Sequence, residues 1–497
     1  MDHFEARNKA YLQPFDLEKA KQRHETFAVE LRKQKRVERY LQKRTHHQPE
    51  PHLSPPADQL EADPLVLSSS LLQTFKTATS PDHSRRLLMQ IRRLCAVPTH
   101  PPLHLLAQVG VTGKLAVYLN STDPEEVFAA TWIFTNLASL TDDAVMREIG
   151  SAGVVGKLVT CLGHESENVV ENGLWALGNY AGGEEHCREE VLAAGVLPAM
   201  EQLTRNPHSE DFCETFTWVL YMLAKTLPKP QHLPSLCHLL VQSLSLPYSS
   251  SLLNSLSGAY QLSVKDLDCV SMLVNVQAVP ALLSLLSHSN LDVQFNSLRV
   301  AGNICAGTDK HTAVMLHGGL LEALCPVIEA KERNLRKEAF WLLSNVLASE
   351  KSQVEITVRH RCFAGVMKGL TDGDFSLRKE AIVCLGNVVS SKAEIALEVW
   401  GDMEGLERVC ESLAAPDATL QKTAMDTIQE YVEMVKWRTL PLDDVMSRLE
   451  AAGALHQLEC LLHHSSLQLA ASHLLQSLHE DNSEVLCTTV PLLYQFS

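Results

Sequence analysis

The sequence predicts an all-α fold built as a repeat solenoid rather than one compact domain. Three observations support this prediction. Hydrophobic residues make up 45% of the 497 residues but aromatic ones only 6%, and a Leu- and Ala-rich mixture of this kind suits helix-to-helix seams. A Trp-x-x-x-Asn pair recurs along the chain, and apolar segments separated by Gly-containing breaks return at a regular interval.

The recurring pair defines the length of the repeat. Its members are Trp132/Asn136, Trp175/Asn179 and Trp341/Asn345, with Arg299/Asn303 and Val383/Asn387 in the same frame. The Asn positions are separated by steps of 43, 124, 42 and 42 residues, and the long step has room for three units of about 41. Trp218/Met222 and Leu256/Tyr260 occupy the two registers within it. A period of 38 to 43 residues made of helices and Gly-containing turns is typical of armadillo or HEAT stacking.

Composition divides the chain into four segments. Residues 1–47 form a basic, helical segment with twelve Lys or Arg against seven Asp or Glu. Residues 48–64 have the composition of a flexible, Pro-rich linker. Residues 65–434 hold about nine repeats, and residues 435–497 form a C-terminal helical cap and tail.

Charge and cysteine use narrow the classes of function. The net charge is -16, so the chain beyond residue 47 carries about -21, which disfavours nucleic acid and anionic membranes and favours cationic partners. The thirteen Cys show no C-x-x-C pair and no ligand-like spacing with His, so we expect no metal, no cofactor and reduced, buried thiols such as Cys305, Cys325 and Cys384. No catalytic motif appears in a fitting context, which predicts that the protein is not an enzyme. We expect no signal peptide and no membrane span.

The Trp and Asn frame favours binding of an extended basic peptide. Residues at i and i+4 lie on one helix face, so each Trp lies one turn from its Asn. An Asn amide can pair with the backbone of any peptide, and Trp rings can bury the stem of a Lys or Arg. A repeated structural hydrogen bond is the alternative explanation for mid-helix Asn.

These features resemble the importin-alpha (karyopherin-alpha) family of armadillo-repeat nuclear import adaptors. The resemblance covers nearly the whole chain, and "VELRKQKR" is similar to that family's importin-beta-binding segment. It implies a right-handed superhelical solenoid with a flexible basic N-terminal helix. It also implies that the head contacts importin-beta and that its end mimics cargo in an autoinhibitory way. The residues concerned are, for importin-beta, Arg32, Lys33, Lys35, Arg36 and Arg39, and, for autoinhibition, Lys43 and Arg44.

The resemblance further implies two peptide sites for basic nuclear localisation signals of cargo. The major-site residues that match are Trp132, Asn136, Trp175, Asn179 and Trp218. The minor-site residues that match are Arg299, Asn303, Asp309, Thr312, Glu338, Trp341, Asn345, Glu380 and Asn387. At the major site Met222 replaces the expected Asn and Gly183 the expected Asp, with Glu184 or Glu185 as nearby substitutes. We therefore expect the minor site to bind basic peptide at least as well as the major site.

Two functions remain open at this point. The first is a nuclear import adaptor with importin-beta and cargo as partners, shuttling between cytoplasm and nucleus and recycled by an export receptor. Glu480, Asp481 and Glu484 are the acidic residues available to such a receptor. The second is an armadillo scaffold that no longer recognises cargo signals. Gly183, Met222, Leu256 and Val383 are the departures that favour it.

Overall fold

The computed structural model describes residues 67–95, 102–140, 142–401 and 403–479. The expected importin-beta segment, the autoinhibitory Lys43 and Arg44, the linker and the acidic residues from Glu480 onward lie outside this part of the chain. The described residues belong to two compact units, which divide between Gln277 and Ala278. We call them unit 1 and unit 2 and describe each by itself.

Unit 1 is a stack of helices in the order short, short, long. Its helices are α1 (Ser69–Thr77), α2 (Pro81–Cys95), α3 (His104–Val109), α4 (Thr112–Tyr118), α5 (Pro124–Ala138), α6 (Asp143–Ser151), α7 (Val154–Cys161), α8 (Glu167–Ala181), α9 (Glu185–Ala193), α10 (Val196–Leu203), α11 (Glu210–Leu223), α12 (Leu233–Gln242), α13 (Ser249–Ser263) and α14 (Leu267–Asn275). A short 3₁₀ turn, Ser243–Ser245, extends α12.

Unit 2 repeats the same order. Its helices are α15 (Ala278–Leu285), α16 (Leu291–Cys305), α17 (Asp309–His317), α18 (Leu320–Ile328), α19 (Arg333–Leu347), α20 (Lys351–Arg359), α21 (Phe363–Gly369), α22 (Phe375–Ser390), α23 (Ile395–Trp400), α24 (Gly405–Cys410), α25 (Ala418–Trp437), α26 (Asp443–Ala451), α27 (Ala454–Leu461) and α28 (Gln468–His479). A 3₁₀ turn, Glu411–Ala414, follows α24.

The long helices pack side by side and carry the Trp and Asn frame. In unit 1 each of α2, α5, α8, α11 and α13 contacts the next, and in unit 2 so does each of α16, α19, α22, α25 and α28. We call these ten the ladder helices and the surface that bears the Trp/Asn frame the ladder face. The predicted core positions Leu174, Leu177 and Ala181 of α8 are fully buried against these neighbours. Each unit therefore has one continuous core, which individual repeats could not form alone.

Local sequence signals set where the helices begin and turn. Asp123 caps α5 by accepting from the Glu125 backbone N–H, and Pro124 occupies the first helical position, where a missing N–H costs nothing. The turn into the second short helix of a repeat uses a left-handed backbone, as at Gly153 (φ 63°) and Gly319 (φ 94°). These residues explain the Gly-containing breaks that recur in the sequence.

The structure confirms the predicted all-α, armadillo-repeat solenoid fold within each unit. Among the described residues no single helix is both long and apolar enough to cross a membrane, and two bent helix pairs reach that length and composition only together. The cysteines predicted as core residues are buried at Cys305 and Cys384 and half-buried at Cys325.

Candidate functional site

The Trp residues of the frame are packed more deeply in unit 1 than in unit 2. Trp132, Trp175 and Trp218 expose 7%, 9% and 8% of their surface, whereas Trp341 is half-buried. A Trp ring that retains exposed surface can still cover an apolar stem brought by a ligand. Trp341 is therefore the ring of the frame with the most surface left to offer.

Two glycines make room for Trp rings on the ladder face. A Cβ atom on Gly178 would overlap the ring of Trp218, and one on Gly302 would overlap the ring of Trp341. Each Gly stands one residue before the frame Asn of its helix, and each Trp belongs to the next ladder helix. The Trp rings thus lie across the helix backbone of the preceding register in both units.

The frame Asn residues cross-link consecutive ladder helices. Asn179 Nδ2 donates to the carbonyl of Thr135 (3.0 Å), Asn345 Nδ2 to that of Gly302 (3.1 Å) and Asn387 Nδ2 to that of Ser344 (2.8 Å). In each case the acceptor is the residue just before the frame Asn of the preceding register. Asn136 differs, because its Nδ2 donates to the carbonyl of Trp132 in its own helix (2.7 Å). A repeated structural bond therefore accounts for one N–H of these amides.

The remaining polar atoms of the frame differ between the units. In unit 2 the Oδ1 atom of Asn345 is buried and has no hydrogen-bond partner among the described residues. In unit 1 a buried atom without a partner is a donor at a different register, Nδ2 of Asn172, three residues before Trp175. A buried polar atom without a partner costs free energy, so a ligand of complementary polarity would stabilise each of them. Unit 2 offers an acceptor and unit 1 a donor.

Carboxylates stand three residues before the frame position in unit 2. Glu338 and Glu380 are half-buried, one on α19 and the next on α22. Burial and, to a smaller extent, the nearby Glu380 raise the pKa of Glu338 to about 7, although Arg299 Nε lies 3.6 Å from its Oε1 and lowers it. Burial also raises the pKa of Glu380. The surrounding protein leaves these carboxylates incompletely compensated, so an added cation would stabilise their charged forms.

Two more carboxylates follow on α25, and neither was predicted from the sequence. We call them, together with Glu338 and Glu380, the acidic row. Asp426 and Glu430 follow Val383 and Asn387 by 43 residues, one repeat further on. Glu430 Oε2 accepts from Ser390 Oγ (3.0 Å), and partial burial and the neighbouring Asp426 raise its pKa to about 7. The 43-residue step alone identifies both positions. The same frame, counted back three residues from each Trp, identifies Asn172.

Unit 1 places cationic groups beside its ladder face. The Arg92 guanidinium lies 5.4 Å from the ring centre of Phe128, which in turn lies 6.2 Å from that of Trp132. Burial lowers the pKa of Arg92. Lys225 lies 5.6 Å from the ring centre of Tyr221 on α11. These cations occupy aromatic faces that a basic peptide would otherwise use, although the half-buried Glu171 and Glu214 supply some negative charge.

Arg188 supports the loop where the family pattern has an acid. Its Nη1 donates to the carbonyls of Ala181 (2.9 Å) and Gly183 (2.5 Å), and the side chain is buried. Glu184 and Glu185 are exposed beside this loop. The region around Gly183 thus combines a buried guanidinium with solvated carboxylates.

The other predicted residues occupy several environments. Thr312 is fully buried and its Oγ1 donates to the Cys305 carbonyl (3.1 Å). Asp309 begins α17 as a half-buried acid, and its carbonyl accepts from Gln353 Nε2 (2.9 Å). Asn303 is half-buried and Met222 is buried. The predicted minor-site residues lie on α16, α17, α19 and α22, all within unit 2, and the major-site residues lie on α5, α8 and α11 within unit 1.

Comparison with known proteins identifies the repeat. The Armadillo/beta-catenin-like repeat family matches residues 147–182 and 266–306. A crystal structure of an engineered protein superposes with a TM-score of 0.67 at 22% identity and covers 83% of this chain and 100% of that one. This second likeness concerns the fold.

Similar curated proteins are importin alpha subunits of plants. Importin subunit alpha-1a of Oryza sativa subsp. japonica is 27% identical over 369 residues, 72% of this chain and 68% of that protein. Importin subunit alpha-1b of the same organism is 31% identical over 296 residues, 56% of this chain and 54% of that protein. The chain thus spans between about half and two thirds of these two relatives.

A third relative matches nearly end to end. Importin subunit alpha-5 of Arabidopsis thaliana is 26% identical over 476 residues, 94% of this chain and 90% of that protein. These three relatives are named as importin subunits and not as enzymes. With its armadillo repeats and identities of 26% to 31% to these relatives, the chain is similar to importin alpha subunits and differs from each of them at most positions.

Proposed function

We propose that this protein is a nuclear import adaptor that binds basic peptides of cargo on the ladder face of unit 2 and joins them to importin-beta through residues 1–47. The observation that carries the proposal is the pairing of Asn345 with the acidic row. Glu338 and Asn345 lie seven residues apart on α19, so they share one helix face. That face combines Asn345 Oδ1, a buried acceptor without a hydrogen-bond partner among the described residues, with carboxylates whose charged forms a cation would stabilise.

The proposed contacts follow from this arrangement. A peptide N–H would pair with Oδ1 of Asn345, and a Lys or Arg stem would lie against Trp341, with a cation-π contribution of about 0.5–2 kcal/mol. The cationic head would then lie near Glu338 and Glu380, where burial strengthens its attraction to the carboxylates. Arg299, Asn303, Asp309 and Asn387 would complete the site. Thr312 would support it from the core through its bond to Cys305.

Unit 1 is proposed as a second, weaker peptide site. Trp132, Asn136, Trp175, Asn179 and Trp218 would form it, with Asn172 as a donor to a peptide carbonyl. It has Asn172 and Thr215 at the register where unit 2 has Glu338 and Glu380, which is the reason for the lower rank. The adaptor would shuttle between cytoplasm and nucleus, and an export receptor would return it.

The test measures importin-beta and peptide binding by the same protein. The full chain should bind importin-beta in a pull-down, and a chain lacking residues 1–56 should not. The shortened chain should also bind a fluorescent lysine-rich peptide more tightly, because the tether holds the head near the face at roughly millimolar concentration. Equal importin-beta binding by both chains, or no peptide binding by either, would contradict the proposal.

An armadillo scaffold outside cargo import is the second candidate. Met222 and Leu256 favour it. Both are buried and apolar at frame positions where an import adaptor would need a side chain that contacts the peptide. A scaffold of this kind would bind neither importin-beta nor the lysine-rich peptide. The same pull-down and titration therefore separate the two functions.

A further inference from the structure

Unit 2 contains a cluster of two thiols and one imidazole that belongs to no frame position. Cys325 lies on α18, His360 follows the end of α20, and Cys362 directly precedes α21. One ligand atom of each residue lies within 4.8 Å of the other two. This site could not be recognised from the sequence, because Cys325 and His360 are 35 positions apart.

The spacing of the three ligand atoms is close to that of a tetrahedral metal site. Zn²⁺ binds sulfur at about 2.3 Å and imidazole nitrogen at about 2.0–2.1 Å, which places tetrahedral ligands roughly 3.5–3.8 Å apart. The cluster needs a contraction of at most about 1.3 Å, since its ligand atoms lie within 4.8 Å of one another. Cys325 and His360 are half-buried and Cys362 is buried, so the site has a protein lining and a route from solvent.

The imidazole of His360 is oriented from both sides. Its Nε2 atom lies 2.9 Å from Oε1 of Glu322, and its Nδ1 atom lies 3.2 Å from the backbone nitrogen of Cys362. Donation of Nε2–H to the carboxylate leaves a lone pair on Nδ1, which accepts the Cys362 N–H in the structure, so a metal ion would take this lone pair in place of that N–H. Metal-binding histidines commonly have such a carboxylate partner. Arg361 Nη2 lies 2.5 Å from the other oxygen of Glu322 and fixes that carboxylate.

The ligands come from neighbouring elements that already pack together. α18 contacts both the helix before it, α17, and α21, the helix that Cys362 precedes. Cys325 therefore belongs to one repeat, while His360 and Cys362 belong to the turn of the next. An ion held between them would join consecutive repeats without any movement of the ladder face.

We propose that Cys325, His360 and Cys362 bind one Zn²⁺ ion, with water as the fourth ligand, and that this ion fastens two consecutive repeats of unit 2. The two thiols would each lose a proton on binding, and those protons leave to solvent. Two soft thiolates and one imidazole are a donor set suited to zinc rather than to Mg²⁺ or Ca²⁺. A Cys325–Cys362 disulfide is the competing outcome. Its formation would require an oxidant and would not involve His360.

The test uses the reduced full-length chain and Co²⁺ as a spectroscopic substitute for Zn²⁺. We expect one Co²⁺ per chain with thiolate-to-metal charge-transfer and tetrahedral d–d absorption, both displaced by one equivalent of Zn²⁺. Cys325→Ser and Cys362→Ser should each remove the charge-transfer signal of the site. Cys460→Ser is the matched control, because that thiol is exposed and remote in sequence, and it should leave the signal unchanged.

A second set of variants keeps the test decisive where a cysteine variant fails to fold. His360→Gln should weaken Zn²⁺ binding in competition with a chelating dye, and Glu322→Gln should weaken it about ten- to hundredfold through loss of ring orientation. Zn²⁺ should raise the thermal midpoint of the wild type and not that of His360→Gln. Unchanged Co²⁺ spectra in the Cys325, Cys362 and His360 variants would overturn the proposal. So would a Cys325–Cys362 disulfide, found by mass spectrometry, in chain that retains no zinc after dialysis.

Discussion

Units 1 and 2 use one helix geometry for two different surfaces. Both place a Trp ring over a Gly of the preceding register, at Gly178 and at Gly302. Both join ladder helices through an Asn amide and a neighbouring carbonyl. Their ladder faces nevertheless differ in charge, in the polarity of the orphan atom and in the exposure of Trp.

The difference shows which parts of the frame build the fold and which select a ligand. The Gly and one N–H of the Asn serve the stack in both units. Three residues before the frame, unit 2 has Glu338 and Glu380, whereas unit 1 has Asn172 and Thr215. In the proposed site, selectivity for a basic peptide would therefore depend on a position that the Trp/Asn pattern does not include.

The largest expected effect comes from filling the glycine positions. Gly302→Ala and Gly178→Ala would each force a rigid Trp ring to move, at a cost of about 1–3 kcal/mol, while better helix propensity returns about 1 kcal/mol. We expect a net loss of up to about 2 kcal/mol in the free energy of unfolding for both, measured by urea denaturation. Gly156→Ala is a control, because a Cβ there meets nothing within 4 Å.

The two glycine variants also separate an effect on stability from an effect on peptide binding. Gly302→Ala should reduce affinity for a lysine-rich peptide because it displaces Trp341, whereas Gly178→Ala should change it little. Equal losses of affinity in the two variants would mean that the units bind the peptide alike.

The next effect is a dependence of peptide affinity on pH. With a pKa of about 7, Glu338 is mostly protonated at pH 6 and mostly ionised at pH 8. Because a cationic peptide prefers the ionised form, affinity should rise about three- to tenfold over this interval. Fluorescence anisotropy at constant ionic strength would measure it.

Glu338→Gln isolates this carboxylate from other titrating groups. The variant should bind weakly at both pH values and lose most of the rise. A rise of equal size in Glu338→Gln would assign the pH dependence to other residues and remove the carboxylate from the account.

The smallest effect concerns the missing Asn of unit 1. Met222→Asn would restore an amide at the register where Met222 now lies beside Gly182. We expect an approximately two- to threefold gain in peptide affinity, since one hydrogen bond contributes about 0.5–1.5 kcal/mol and the nearby cations remain. The gain should be measured in a Trp341→Ala background, so that unit 2 does not mask it, with Met222→Leu as the control.

Much of the fold could be predicted from the sequence, because repeats bury one face per helix with a fixed period. The Trp132, Trp175 and Trp341 registers identified the ladder helices, and Leu174, Leu177 and Ala181 identified their cores. Such periodic features depend on local spacing, which the sequence displays directly.

The chemistry of the site was less accessible from the sequence. The cross-link from Asn179 to Thr135 joins residues 44 apart, and the orphan state of Asn345 Oδ1 depends on packing around it. The raised pKa of Glu338 likewise reflects burial that no spacing reveals. Cys325 and His360 meet only because two repeats stack.

The central claim is that unit 2 holds the stronger basic-peptide site, and paired tryptophan variants test it most directly. Trp175→Ala and Trp341→Ala would each be titrated with a fluorescent lysine-rich peptide, with thermal unfolding recorded to confirm that both variants are folded. We expect a loss of affinity of about tenfold or more for Trp341→Ala and a small loss for Trp175→Ala. Unchanged affinity in Trp341→Ala together with abolished binding in Trp175→Ala would contradict it.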